Sequence, residues 1–116
     1  MTQQYVSDQG RFLIASVDTA ASGDVELIAG VAGTIIKIWH YDLQIAAADT
    51  LILKDGTTTF SGDGFVFAGS ASISFSAPGG KIPLPMSAGA SFKINKAGTS
   101  QLSGFIIYSQ DDIGDE

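Results

Sequence analysis

From Phe65 to Ser76 the chain alternates. Phe65, Phe67, Ala71, Ile73 and Phe75 hold the odd positions, and the even ones are mostly serine. A period of two puts successive side chains on opposite faces, so this segment reads as a β-strand with one apolar and one hydroxyl face. The charge-free stretch from Gly64 to Gly80 is nearly long enough to cross a bilayer as a helix. Ser70, Ser72, Ser74 and Ser76 at alternate positions make it a strand with a wet face instead. Gly69 is expected to mark a bulge or a close backbone approach.

Shorter alternating runs fall at Arg11 to Val17, Val25 to Ala29, Leu51 to Lys54, Ser91 to Asn95 and Leu102 to Tyr108. The stretch Thr34 to Ile45 differs. Ile35, Trp39, Tyr41, Leu43 and Ile45 share one parity, while Ile36 and Ile38 hold the other. One end of this strand therefore reads as apolar on both faces, as expected for a strand covered on both sides. Phe105, Ile106 and Ile107 repeat the pattern.

Turn signals separate the runs: Ala21-Ser22-Gly23-Asp24, Asp55-Gly56, Ser61-Gly62-Asp63-Gly64, Ala77-Pro78-Gly79-Gly80 and Lys96-Ala97-Gly98. Asp-Gly favours a hairpin because glycine accepts a positive φ. Lys81-Ile82-Pro83-Leu84-Pro85-Met86 cannot be a central strand, since proline lacks a donor; it is an edge or an extended loop. No window holds a sustained i, i+3, i+4 stripe. About eight strands at short spacing predict an all-β, single-domain antiparallel β-sandwich, most simply a jelly roll. An immunoglobulin-like sandwich is the rival, without the usual cysteine pair. The expected organisation is an N-terminal arm over residues 1–10, the sandwich over 11–109 and an acidic tail over 110–116.

Composition narrows the function classes. Lys and Arg total 6 against 12 Asp and Glu, for a net charge of -6. That balance argues against a nucleic-acid partner. There is no cysteine, so disulfides and thiolate metal sites are excluded. Only 16% of residues are charged against a typical ~25%, while 45% are apolar, which points to some surface being covered by a partner. The start Met1-Thr2-Gln3-Gln4-Tyr5-Val6 has neither a basic region nor an apolar run, so no signal peptide and no membrane segment are expected.

The search for chemistry yields little. His40 is the single histidine and lies beside Trp39 and Tyr41, which reads as a packed or interfacial residue rather than a metal ligand. No serine sits in a G-x-S-x-G elbow; Gly98-Thr99-Ser100-Gln101-Leu102 ends in leucine. Gly79-Gly80-Lys81-Ile82 departs from a P-loop, with Phe75 at the first glycine position and Ile82 in place of the magnesium-holding hydroxyl. Gly62-Asp63-Gly64 begins a dinucleotide fingerprint, but Phe67 stands at its third glycine. Asp55 and Asp63 flank a threonine-rich loop that reads either as a calcium loop or as ordinary turn chemistry, the second fitting its sparse ligand set better. Trp39 and Tyr41 read as core or subunit contact rather than a stacking platform. The expectation is a protein with no catalytic site, no cofactor and no metal.

Val31-Ala32-Gly33-Thr34-Ile35-Ile36-Lys37-Ile38, then Leu43, Asp55-Gly56 and Phe60-Ser61-Gly62, resembles a group of small tailed-phage virion proteins. Gly80-Lys81-Ile82-Pro83-Leu84-Pro85, Ser87-Ala88-Gly89 before Phe92-Lys93-Ile94, and Leu102-Ser103-Gly104-Phe105-Ile106-Ile107-Tyr108 follow the same layout. Ser87-Ala88-Gly89 departs from the group's T-x-x-G element, which it shortens without the threonine. The likeness covers about Asp24 to Tyr108. It implies a head decoration (cement) protein with a jelly-roll, tumour-necrosis-factor-like trimer fold. Such a protein sits on the capsid exterior, bound to the major capsid protein and made in the host bacterial cytoplasm. The absence of cysteine agrees with that compartment.

On this reading Ile35, Ile36, Ile38, Trp39, Phe105 and Ile107 form the subunit interface of a homotrimer, with Ile36 and Ile38 facing outward. The three-fold symmetry comes from the resemblance alone. Thr2, Gln3, Gln4, Tyr5 and Val6 are expected to contact the capsid as an arm. The alternative is a phage tail- or fibre-associated jelly-roll module that binds carbohydrate.

Overall fold

The computed structural model of the chain describes residues 2–7, 10–81 and 83–112, and side chains from Phe12 onward. The described residues form strands β1 (Thr2–Ser7), β2 (Gly10–Thr19), β3 (Gly23–Ile28), β4 (Thr34–Ile45), β5 (Asp49–Asp55), β6 (Thr58–Thr59), β7 (Phe65–Phe67), β8 (Ala71–Ser76), β9 (Leu84–Pro85), β10 (Phe92–Lys96) and β11 (Leu102–Asp112). A 3-10 turn covers Pro78–Gly80. The first sheet has the order β1-β2-β11-β4-β8, with β9 also paired to β4; the second has the order β3-β10-β5-β6, with β7 also paired to β5.

This is a jelly roll, as the alternation and turn spacing predict. Counting β6 and β7 together as one strand, β2 through β8 with β10 and β11 give eight. The first pairs with the eighth (β2 with β11), the second with the seventh (β3 with β10), the third with the sixth (β4 with β8), and the fourth with the fifth (β5 with β6 and β7). The pairs nest, and the long hairpin they make is rolled into two sheets. Leu43, Ile45, Ile106, Leu102 and Val17 from the first sheet pack on Leu51, Leu53, Phe92 and Ile94 from the second.

Three expectations change. The run from Phe65 to Ser76 is two strands: β7 pairs with β5 in one sheet, β8 with β4 in the other, and the chain bends between them at residues 68–70. The alternation survives across that corner, which is why the sequence reads as one strand. The sandwich reaches slightly beyond 11–109, since β2 begins at Gly10 and β11 runs to Asp112. The backbone expected as a free arm pairs over Thr2–Ser7 along β2, whose outer edge would otherwise present unpaired backbone groups. The side chains of the expected capsid contacts Thr2 to Val6 lie outside the described residues.

The largest correction concerns β4. Ile36 is 1% exposed and Ile38 fully buried; they are core residues, not outward interface residues. Tyr41, Leu43 and Ile45 are buried too, although they have the opposite parity. The phase changes because Ile107 pairs with His40 but Tyr108 pairs with Ile38, leaving Trp39 as an extra residue in β4. A bulge of this kind lets one strand keep its apolar side on the core while its sequence parity switches. Trp39 and Tyr41 therefore do not share a face.

Gly104 supports the same region of the ladder. Its φ is +139°, and an added Cβ would run into the carbonyl oxygen of Asp42 on the neighbouring strand. Gly104→Ala is expected to lower stability by about 3 kcal/mol, from backbone strain and steric overlap together. Gly62 supplies the comparison: its φ is +62°, but nothing lies within 4 Å of an added Cβ. Gly62→Ala should cost only about 1 kcal/mol from the backbone alone. Equal losses for the two variants in urea denaturation would refute the steric account.

Candidate functional site

The outer face of the first sheet is built from rows of directly opposed residues on β2, β11, β4 and β8. One row is Ile14, Ile107, His40 and Ser76. The next is Ser16, Phe105, Asp42 and Ser74, and the third is Ser103, Gln44 and Ser72 with Asp18 at its β2 end. The face thus runs from apolar to polar along the strand direction.

At the apolar end Phe12 meets Trp39 edge-on, with ring centroids 5.7 Å apart. Trp39 Nε1 donates to Ser109 Oγ at 2.9 Å, which satisfies the indole while its ring stays at the surface. Phe12, Trp39, His40, Ser76, Ala77 and Ile107 line a shallow groove of about 320 Å³. His40 Nδ1 and Ser76 Oγ share a hydrogen bond of 2.7 Å, and the imidazole stacks on Phe105 at 5.6 Å. No carboxylate among the described residues completes this pair as the third member that orients a catalytic imidazole. Lys37 Nζ lies 3.4 Å from Asp111 Oδ2 at the border of the patch.

At the polar end a second groove of about 350 Å³ is lined by Asp42, Gln44, Ser72, Ser103, Gly104 and Phe105. The outer face of the second sheet is different again. Lys93 stands between Glu26 and Lys54, and Asn95 stands beside Asp24. Lys54 Nζ sits 3.0 Å from Asp24, and Asn95 Nδ2 donates to the same carboxylate at 2.8 Å. Those hydrogen bonds from Asn95 and Lys54 hold the Asp24 carboxyl below its ordinary pKa. Over β3, β10 and the end of β5 this face is charged and internally paired, while Val66 on β7 stands exposed at its margin.

Of the six residues expected at an interface, Phe105 and Ile107 lie on the outer face of the first sheet with Ile35 and Trp39, while Ile36 and Ile38 are in the core. Phe12 and Ile14 belong with the first group and went unread. Their signal was present, because Phe12 and Ile14 alternate with Leu13 and Ala15, making β2 apolar on both parities. Asp55, weighed as a calcium ligand, accepts from Ser87 N at 2.9 Å and Ser87 Oγ at 2.6 Å, and so tethers the segment after β9.

No protein family, curated protein or solved structure matches this chain. The chemistry of the face is therefore the guide to what it does. Phe12, Ile14, Trp39, Phe105 and Ile107 present aromatic and aliphatic surface in one place, and Phe105 is 37% exposed. A contiguous patch of this composition is suited to contact with another macromolecule rather than with water.

Proposed function

We propose that this protein is a structural component of a tailed-phage virion that assembles as a homotrimer and binds the outside of the capsid as a decoration protein. The observation that carries the reading is the asymmetry between the two sheets. Across β3, β10 and the end of β5 one outer face is paired charge, with Val66 exposed at its β7 margin; the other holds an uncharged apolar patch of Phe12, Ile14, Trp39 and Ile107, with Ile35 and Phe105 at its borders. Closed symmetry is the usual way for identical chains to bury such a patch. The jelly roll is the fold that the resemblance implies, and three-fold symmetry likewise comes from the resemblance. Contact with the major capsid protein is assigned to the segment from Thr2 to Val6. A net charge of -6 keeps the unassembled chain soluble.

Light scattering of the purified wild type should give a mass near three chains. Ile107→Asp places a charge in the centre of the patch without touching the core, and should give a folded monomer. A wild type that is monomeric at micromolar concentration would remove the trimer. Co-sedimentation with mature capsids tests the second half: binding that raises the shell's resistance to heat supports decoration. Recovery of the protein only on tails would replace that reading.

A further inference from the structure

The polar end of the same sheet face holds a second feature that self-association does not use. Ser103, Gln44 and Ser72 stand side by side on β11, β4 and β8, and Phe105, Asp42 and Ser74 form the row above them. Adjacent strands are about 4.8 Å apart, and alternate residues along a strand about 7 Å. The two rows therefore offer a grid about 10 Å by 7 Å, the scale of one or two pyranose rings. Among the described residues, the side chains of Asp42, Gln44, Ser72 and Ser103 form no hydrogen bond with each other or with a neighbour. A carboxylate, an amide and hydroxyls are thus free to serve a ligand. Phe105 stands at their border, one side stacked on His40 and its surface lining the groove of about 350 Å³.

We infer that this groove is a saccharide-binding site for a neutral glycan. Phe105 would take the C–H face of a sugar ring, while Asp42, Gln44, Ser72 and Ser103 take its hydroxyls. Each part of the grid fits that ligand. An aromatic ring offers apolar contact to one face of a pyranose. A carboxylate accepts from two hydroxyls, an amide both donates and accepts, and serine hydroxyls rotate to do either. The charge of the site argues against anions, since Asp42 lines the groove, Asp18 closes its row, and no lysine or arginine among the described residues lines it. One carboxylate without further anionic ligands does not make a cation site.

The site is independent of capsid binding, and its test can be kept separate from that of assembly. The intact wild-type protein is applied to an array of neutral oligosaccharides of glucose, galactose, mannose and N-acetylhexosamines. Hits are then titrated by calorimetry. Asp42→Asn and Gln44→Ala change exposed residues outside the proposed subunit contact, so folding and oligomeric state should be unchanged. Each is expected to weaken the hit tenfold or more. Phe105→Ala should abolish it, with light scattering run alongside because Phe105 also borders the apolar patch. Absence of any hit at millimolar sugar would overturn the inference. So would a hit that survives all three variants, or one lost only on altering the exposed Phe65 and Val66 of β7. Failure here with capsid co-sedimentation intact would leave the decoration reading standing.

Discussion

Ile38→Asp is expected to yield no folded protein under conditions where Ile107→Asp is folded. Ile107 adjoins Tyr108, the ladder partner of Ile38 across the β4–β11 pair, yet the two isoleucines differ completely in surroundings. Ile38 is fully buried between the sheets, and its ladder partner Tyr108 is 5% exposed. Removing a buried isoleucine side chain costs about 2–5 kcal/mol through lost burial and the cavity left behind. The new carboxylate would have no cationic partner in that layer, and burying it unpaired costs several kcal/mol more, or forces it to stay protonated. The sum is comparable with the whole stability of an ordinary domain, about 5–15 kcal/mol. Ile107 points to the other face, where a carboxylate stays in water. Circular dichroism and urea denaturation of the two variants check this. A folded, soluble Ile38→Asp protein would mean that the bulge at Trp39 has been misplaced.

Lys96→Met should lower stability by about 3–5 kcal/mol, the usual cost of breaking a buried ion pair from one side. Lys96 ends β10, and its side chain and that of Asp49 are both fully buried, with Nζ 4.0 Å from Oδ2. The ammonium also donates to Ala21 O at 3.2 Å and to Ser100 O. Asp49 accepts from Thr50 N at 2.7 Å, Gly98 N at 2.8 Å and Ser100 Oγ. The pair thus fastens the start of β5 to the turn after β10 and to the loop after β2. Without Lys96, Asp49 keeps its three donors but loses the opposing charge. Chemical denaturation gives the loss directly, and a change below about 1 kcal/mol would show the pair to be dispensable.

The same pair sets a pH dependence. Burial pushes the Asp49 carboxyl upward, but hydrogen bonds from Ser100, Thr50 and Gly98 and the charge of Lys96 outweigh it, leaving the pKa below its ordinary value. A folded pKa below the unfolded one contributes stability above the unfolded value, about 3.9, and that contribution is lost as pH falls through the folded pKa. The wild type should therefore weaken on acidification below about pH 4. In Lys96→Met the acid-dependent loss should be smaller and complete at higher pH, because the folded carboxyl no longer has that attraction to lower it.

The strands were legible because alternation leaves little choice. Phe92, Ile94 and Lys96 share one parity of β10, so the buried lysine stood on the apolar side of its strand in plain sequence. That it is paired depends on Asp49, 47 positions earlier in the numbering, and only the fold brings the two together. The phase change in β4 was not legible. Apolar residues at positions 35, 36, 38 and 39 are equally consistent with a strand greasy on both sides and with one that slips by a residue. The partner register of β11 decides between them. The polar groove was hidden for the same reason. Gln44, Ser72 and Ser103 are unremarkable singly, and become a row only when three distant strands align.

The nested pairing also has a consequence in time. β11 lies between β2 and β4, so the strand latest in chain order fills the middle of the first sheet rather than its margin. Until β11 is present, β2 and β4 have no common neighbour, and their facing edges are open to the wrong partners. Topologies dominated by such distant pairings fold slowly, because the chain must close its longest loops before it gains from them. A chain emerging from the ribosome would hold an incomplete sheet until nearly the whole domain was out. The early strands are exposed to misassociation during that interval. Slow synthesis near Leu102–Asp112 would prolong the hazard, and faster delivery of β11 would shorten it.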